Sequence, residues 1–378
     1  MVGRTRKGAA GFFCGFRLRI SLATIPVPPS ILRPLSDRTS TCLNPVGHFS
    51  TVGGVKPLFA ILSGLLLLGV TSAKEYTIAV IPKGTTHEFW KSIHAGAVKA
   101  EQELAAKGIV VKLFWKGPLR EDDREQQIQV VENFTTRRVS GIVLAPLDSH
   151  ALVNPVRSAV RAKIPVVVMD SDLKSDQYVS FVATDNFLGG QIAGEQLAKL
   201  LDGHGNVILL RYAVGSASTE AREAGFLDSL KKHPGIVLIS ADQYAGPTRE
   251  TAYQASQNLL NRYGNQVNGI FCPAEPPTIA MAKALRDIGK AGGKVKMVGF
   301  DAGSQSVNDL KNGDVQALVV QNPVYMGYKA VLSLIEHLEG RKVEKRIDTG
   351  VKLVTQDNME QTDIHELLHP PLRRYLKE

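Results

Sequence analysis

The strongest chemical signal in this 378-residue chain is a set of polar residues placed directly behind apolar runs. Asp170 follows Val166-Val-Val-Met169, Asp301 follows Met297-Val-Gly-Phe300, Glu275 follows Ile270-Phe-Cys-Pro-Ala274, and Gln321 ends Ala317-Leu-Val-Val320. In an open parallel sheet, loops at the carboxyl ends of strands line a ligand crevice. A carboxylate accepts on two oxygens and can hold adjacent hydroxyls, while a planar guanidinium such as that of Arg222 donates to several oxygens at once. Pro82-Lys-Gly-Thr-Thr-His-Glu-Phe-Trp90 adds Lys83 and His87 as polar candidates, and Phe89 and Trp90 as faces that pack on the apolar side of a sugar ring. An Asp behind a strand also serves as a helix cap or turn former, so the argument rests on the four strand ends together. The set suits a polyhydroxylated small molecule.

The elements that must position these residues alternate along the chain. Tyr76 to Ile81 reads as a strand that Pro82-Lys83-Gly84 breaks. A helix is expected from Thr85, with Glu88 completing a capping box and Trp90, Ile93, Ala97, Ala100 and Leu104 forming one apolar stripe. Helices over 124–138 and 151–162 and strands over 141–147 and 164–170 complete a first βαβαβα set. A second set runs from the strand at 179–184 to the strand at 315–321, and a long helix follows over 324–338. The fold class is α/β, with two doubly wound parallel-sheet lobes and a ligand cleft between them.

Several stretches give this pattern a family likeness: 154–170, Val179-Ser-Phe-Val-Ala-Thr-Asp-Asn-Phe-Leu-Gly-Gly190, Arg222-Glu-Ala-Gly-Phe226, Val298-Gly-Phe-Asp301 and Ala317-Leu-Val-Val-Gln321. Over residues 74–354 the chain resembles the periplasmic sugar-binding proteins of the ribose-binding type, the extracytoplasmic receptors of ABC importers. The resemblance implies that Phe89 and Trp90 stack on the sugar, Asp170 and Asp301 accept from its hydroxyls, Arg222 donates to its oxygens, and Gln321 lies at a hinge. It also implies three crossings between lobes near Thr184, Gln321 and Thr349, and closure around the ligand. The lobes would then comprise 74–184 with 322–350, and 185–321 with 351–378. A membrane permease would be the partner and a chemoreceptor a further one, with the protein acting as a monomer that needs no cofactor and catalyses no reaction.

Departures from the ribose pattern bear on the ligand. Lys83 and His87 stand where Ser and Asn are usual, Ser171 replaces the Arg that follows the binding Asp, and Ala274 replaces an Asn. Two ribose contacts are lost and a cation is gained. This points away from ribose itself, towards another sugar, a polyol or a ligand with an anionic group. Alternatively, Lys83 pairs with Asp170 or Asp301 and is silent towards ligand charge, because a buried charge needs a partner. Lys83, His87, Phe89, Trp90, Asp170, Ser171, Arg222, Glu275, Asp301 and Gln321 form the candidate set.

The net charge of +9 resides mostly in residues 1–73, which hold eight Lys or Arg and one Asp. Residues 74–378 therefore carry 37 basic and 35 acidic residues, a balance of +2 that gives no electrostatic footprint for nucleic acid. Lys56 followed by an apolar run and Thr71-Ser-Ala73 reads as a secretory signal cleaved after Ala73, so the location is extracytoplasmic. Residues 1–55 read as an upstream extension or a transit peptide. Cys14 and Cys42 fall in this leader, leaving Cys272 alone and no intramolecular disulfide.

Two other functions share parts of the pattern. His365-Glu-Leu-Leu-His369 matches the H-E-x-x-H of zinc hydrolases, with His365 and His369 as ligands and Glu366 activating water, but Pro370-Pro371 follows at once. A solvated carboxyl-terminal helix with its Leu pair packed inward is the alternative. A sugar-responsive regulator of the same fold would need an amino-terminal helix-turn-helix, and residues 1–55 are broken by prolines.

Overall fold

A computed structural model describes residues 74–376. The expected leader and cleavage after Ala73, together with Cys14 and Cys42, lie outside the described residues. A first set of elements runs β1 (Lys74–Ile81), α1 (Glu88–Ala105), β2 (Ile109–Trp115), α2 (Arg124–Thr136), β3 (Gly141–Leu144), α3 (Val153–Arg161), β4 (Val166–Met169) and β5 (Ser180–Ala183). A second set follows: α4 (Asn186–Leu200), β6 (Gly205–Leu209), α5 (Ala217–Leu230), β7 (Ile236–Ser240), α6 (Arg249–Tyr263), β8 (Gly269–Phe271), α7 (Glu275–Asp287), β9 (Lys296–Phe300), α8 (Ser304–Lys311) and β10 (Ala317–Gln321). The chain ends with α9 (Pro323–Leu338), β11 (Arg346–Asp348), β12 (Val351–Val354), α10 (Thr362–Leu368) and α11 (Leu372–Tyr375).

Both sheets have six strands. The order is β11-β5-β4-β3-β1-β2 in the first, all parallel, and β12-β10-β9-β8-β6-β7 in the second, where only β12 runs antiparallel. The central strands are short, β-branched and buried on both faces, as a parallel sheet covered by helices on each side requires. In the first lobe, Ile78, Val80, Val143 and Val167 pack towards α1 and α9, while Ala79, Ile81, Ile142 and Val166 pack towards α2 and α3. The second lobe divides likewise, and Ile364 and Leu368 of α10 join one of its two cores. The chain passes between sheets after β5, after β10 and between β11 and β12. Thr184 Oγ1 lies 3.3 Å from Thr349 Oγ1 and donates to the Gly350 carbonyl at 3.1 Å, which ties the first of these passages to the last.

Each lobe contains one helix crossing that only glycine permits. A Cβ on Gly96 of α1 would stand 2.0 Å from the Val324 carbonyl oxygen, and one on Gly327 of α9 would stand 2.1 Å from that of Ile93. In the second lobe, Gly190 of α4 faces the Arg222 carbonyl at 1.9 Å and Gly225 of α5 faces that of Phe187 at 2.0 Å. These reciprocal approaches fix the helices that begin at Glu88 and that carry Arg222.

The structure corrects several details of the sequence reading. Helix α1 begins at Glu88 rather than Thr85, with His87 as N-cap and no side-chain cap. Thr85 donates instead to the Pro118 carbonyl, and the Glu88 carboxylate leaves its own helix to accept from the Ser304 amide and hydroxyl of the other lobe. Strand β2 was not foreseen, although Ile109-Val-Val-Lys-Leu-Phe-Trp115 has the composition of one. The short β11 and β12 carry too little pattern to be read, and α11 lies against α1 of the first lobe. Among the described residues, no helix is long and apolar enough to cross a membrane.

Overpacking at these crossings is expected to be severe because the obstacle is backbone. Gly190→Ala should lower unfolding free energy by about 3 kcal/mol or more in denaturant titration. A loss under about 1 kcal/mol would show that the helices slide apart freely.

Candidate functional site

The carboxyl ends of β1, β4, β9 and β10 and the amino-terminal turns of α1, α5 and α7 converge on one cavity between the sheets. Every residue of the candidate set except Ser171 lines it. Its volume is about 40 Å³, close to the ~30 Å³ that one water molecule occupies in the liquid. The lobes are therefore shut upon one another, and a larger occupant enters only when they part.

Two of the strand-end residues have unusual backbones. Asp170 has φ 62° and Asp301 φ 69°, the left-handed region that costs an L-residue roughly 1–2 kcal/mol. Such conformations cluster where a side chain must be aimed. Neither carboxylate caps a helix. Asp170 Oδ2 takes the Lys83 ammonium at 3.0 Å, with both side chains 4% exposed. Asp301 Oδ1 accepts from Gln321 Nε2 at 2.7 Å, and its Oδ2 lies 3.8 Å from Arg222 Nη1. Burial raises the pKa of Asp301, and Arg222 and Gln321 offset this only in part.

Arg222 is 2% exposed and held on all sides. Its Nε donates to Asn186 Oδ1 at 2.8 Å, its Nη1 donates to the Pro273 carbonyl at 2.9 Å, and its guanidinium lies 3.9 Å above the Phe300 ring. Lys83, by contrast, reaches across the lobes, donating to Ser218 Oγ at 3.0 Å and Ser216 Oγ at 3.3 Å. The pairing of Lys83 with Asp170 answers the question of its charge: the cation is matched within the protein. Ser171 is fully buried, and its Oγ accepts from the Ser218 amide at 3.1 Å, so it joins the lobes instead of facing the cavity.

Phe89 and Trp90 meet edge to face, with centroids 5.1 Å apart. Trp90 is held by Glu121, a residue that carried no sequence signal because it sits in the loop between β2 and α2. Glu121 accepts from Trp90 Nε1 at 2.7 Å and Tyr212 Oη at 2.9 Å, and pairs with His87 Nδ1 at 2.6 Å. Burial alone would raise its pKa, but His87, Lys83 and Trp90 hold it down at about 2. The same contact raises the pKa of His87 against the opposing effect of burial. Tyr212, Ser218, Thr219 and Pro276 also line the cavity and were not anticipated. Gln127 is a further omission: its buried amide ties the Pro82 and Ala145 carbonyls to the Leu147 amide and so joins the loop that carries Lys83 to the loop after β3.

Glu275 Oε2 and Gln321 Oε1 are buried without a hydrogen-bond partner in the protein. Glu275 is 2% exposed, and burial pushes its pKa up to about 7. The two oxygens are polar groups on the cavity wall that a ligand can satisfy.

The carboxyl-terminal motif has a different fate. Helix α10 ends at Leu368, Leu368 packs into the core, and His365, Glu366 and His369 are exposed. No group of three or more His, Cys, Asp or Glu able to hold a metal occurs among the described residues.

Residues 78–342 match the family described as a periplasmic binding protein domain. The chain belongs to the periplasmic binding protein family. The ribose import binding protein of Haemophilus influenzae is 31% identical over 297 residues, covering 79% of this chain and 97% of that protein. The D-allose-binding periplasmic protein of Escherichia coli is also 31% identical, covering 75% of this chain and 90% of that protein. A carbohydrate transporter solute binding protein of Agrobacterium radiobacter, solved in complex with D-arabinose, superposes with a TM-score of 0.73 at 33% identity, over 78% of this chain and 99% of that one. Within the family the likeness is to the ribose-type sugar-binding components of ABC importers, which are transport proteins and not enzymes. The zinc hydrolase alternative finds no support among these relatives.

Because folded Glu275 holds its proton more tightly than an unfolded Glu, the stability linked to that proton is present at pH 4.5 and lost as pH rises through about 7. His87, raised above 6.5, acts in the same direction. Unfolding free energy should therefore fall between pH 5 and 8, and Glu275→Gln should remove up to about 3 kcal/mol of that slope. Thermal and urea denaturation of the two proteins across this range check it, and an unchanged slope in the variant would contradict a buried protonated Glu275.

Proposed function

We propose that this protein captures a neutral monosaccharide or polyol in the cavity between its lobes and presents it to an ABC permease. In this reading Asp170 and Asp301 accept from hydroxyls, Arg222 donates to oxygens, and Glu275 and Gln321 use the oxygens that lack partners. Phe89 and Trp90 cover the apolar side of the ring. Thr184, Gln321 and Thr349 lie at the passages about which the lobes open, and the closed state is selected because only it brings contacts from both lobes together. The chain would act as a monomer outside the cytoplasm, exported by a signal cleaved after Ala73. A chemoreceptor could read the same closed form.

The observation that carries the neutral-ligand reading is the pairing of charges. Lys83 meets Asp170 at 3.0 Å, His87 meets Glu121 at 2.6 Å, and Arg222 approaches Asp301 at 3.8 Å. Among the described residues, no cation facing the cavity is left over for an anionic group, and a carboxylate or phosphate brought here would meet four protein carboxyls.

Isothermal titration of the purified protein with D-ribose, D-arabinose, D-allose and xylitol, against D-gluconate and ribose 5-phosphate, tests both parts. A neutral compound should bind and the anions should not. Asp170→Ala and Arg222→Ala should each weaken the neutral compound at least tenfold, about 1.4 kcal/mol. Tighter binding of an anion, or unchanged affinity in both variants, contradicts the reading.

A further inference from the structure

Glu121 stands where the wall of the cavity meets the opposite lobe, and its two oxygens face different partners. Oε1 serves the first lobe, pairing with His87 Nδ1 at 2.6 Å and accepting from Trp90 Nε1 at 2.7 Å. Oε2 accepts from Tyr212 Oη of the second lobe at 2.9 Å. The side chain is 8% exposed, although its loop lies between surface residues. That loop is fastened to the one before α1: a Cβ on Gly84 would stand 2.8 Å from Glu121 Cγ, Thr85 Oγ1 donates to the Pro118 carbonyl, and the Lys116 amide donates to Val80.

We propose that Glu121 is the positioning residue that couples the Phe89 and Trp90 wall to lobe closure. One oxygen sets the indole and imidazole in place, and the other meets Tyr212 only when the lobes close, exchanging water for the Tyr hydroxyl. The proposal rests on the reading of the cavity as the sugar site, since it assigns Trp90 to the ligand wall.

The first-lobe side requires an acceptor, because the indole N–H donates and His87 donates when it carries its proton. The Tyr212 hydroxyl can donate or accept, so a carboxamide at 121 would keep that contact through its N–H. Glu121→Met therefore is the informative change: it removes both sides of the bridge while preserving size. Tyr212→Phe removes only the contact between lobes. If the bridge is one unit, the two substitutions are not additive.

Small-angle scattering of the protein without sugar, and with D-ribose, D-arabinose or D-allose at 10 mM, reports the closed fraction. NMR titration of His87 reports the first-lobe half of the bridge. We expect Tyr212→Phe and Glu121→Met each to shift the protein towards the open form, with the double variant no more open than the more open of the two singles. The His87 pKa should fall in Glu121→Met and stay unchanged in Tyr212→Phe. In stopped-flow measurements on Trp90, with Trp115→Phe as background, dissociation of whichever of these sugars binds should quicken at least tenfold in Tyr212→Phe while association changes less than twofold. Additive effects on opening, or a closed fraction untouched by Tyr212→Phe, would overturn the proposal. If the wild-type protein bound none of the three sugars, the reading of the site would fail, and the sugar-free scattering and His87 titration would still judge Glu121.

Discussion

A charge buried away from water must be answered by an opposite charge or by hydrogen bonds, and the cleft of this protein is arranged around that requirement. The Lys83 ammonium is 4% exposed at the meeting of the two lobes. Asp170 neutralises it from its own lobe, and Ser216 and Ser218 complete its coordination from the other. The shut form is tenable because these partners are present together. His87 with Glu121 and Arg222 with Asp301 repeat the arrangement on either side of the cavity. On the proposed reading, the charges that line the cavity already answer one another, and this favours a neutral ligand.

The backbone supplies the precision that such pairing needs. Asp170 and Asp301 occupy the left-handed region at the ends of β4 and β9, which turns their carboxylates into the cleft instead of along the strand. Behind them, glycine crossings seat α1 on α9 and α4 on α5 at backbone contact, so the turns that bear Phe89, Trp90 and Arg222 cannot drift. Fold and site are thus linked at a few positions where a single methyl group would be too much.

Much of this was legible in the sequence. Short β-branched runs announced both sheets, and polar residues at their ends marked the cavity, because a parallel sheet places its strand ends together. The likeness to sugar-binding proteins rested partly on Gly189-Gly190 and on Arg222 with Gly225, and the structure shows why: Gly190 and Gly225 are where α4 and α5 cross. Other features could not be read. Glu121, Tyr212 and Gln127 act through tertiary contacts that no local pattern reveals. Glu88 had the spacing of a capping box but is used across the cleft on Ser304, a case in which a tertiary partner outcompeted a local one. Ser171 sits beside a cavity residue in sequence and faces away from it, because the reversal at Asp170 sends the next side chain towards Ser218.

The most direct measurement is a crystal structure of the protein grown with D-ribose, D-arabinose or D-allose. The account predicts a sugar ring between Phe89 and Trp90 on one side and Arg222 on the other, with Asp170, Asp301 and Gln321 within hydrogen-bond distance of its oxygens. A sugar bound elsewhere, or one in the cavity that touches neither Asp170 nor Asp301, would contradict it.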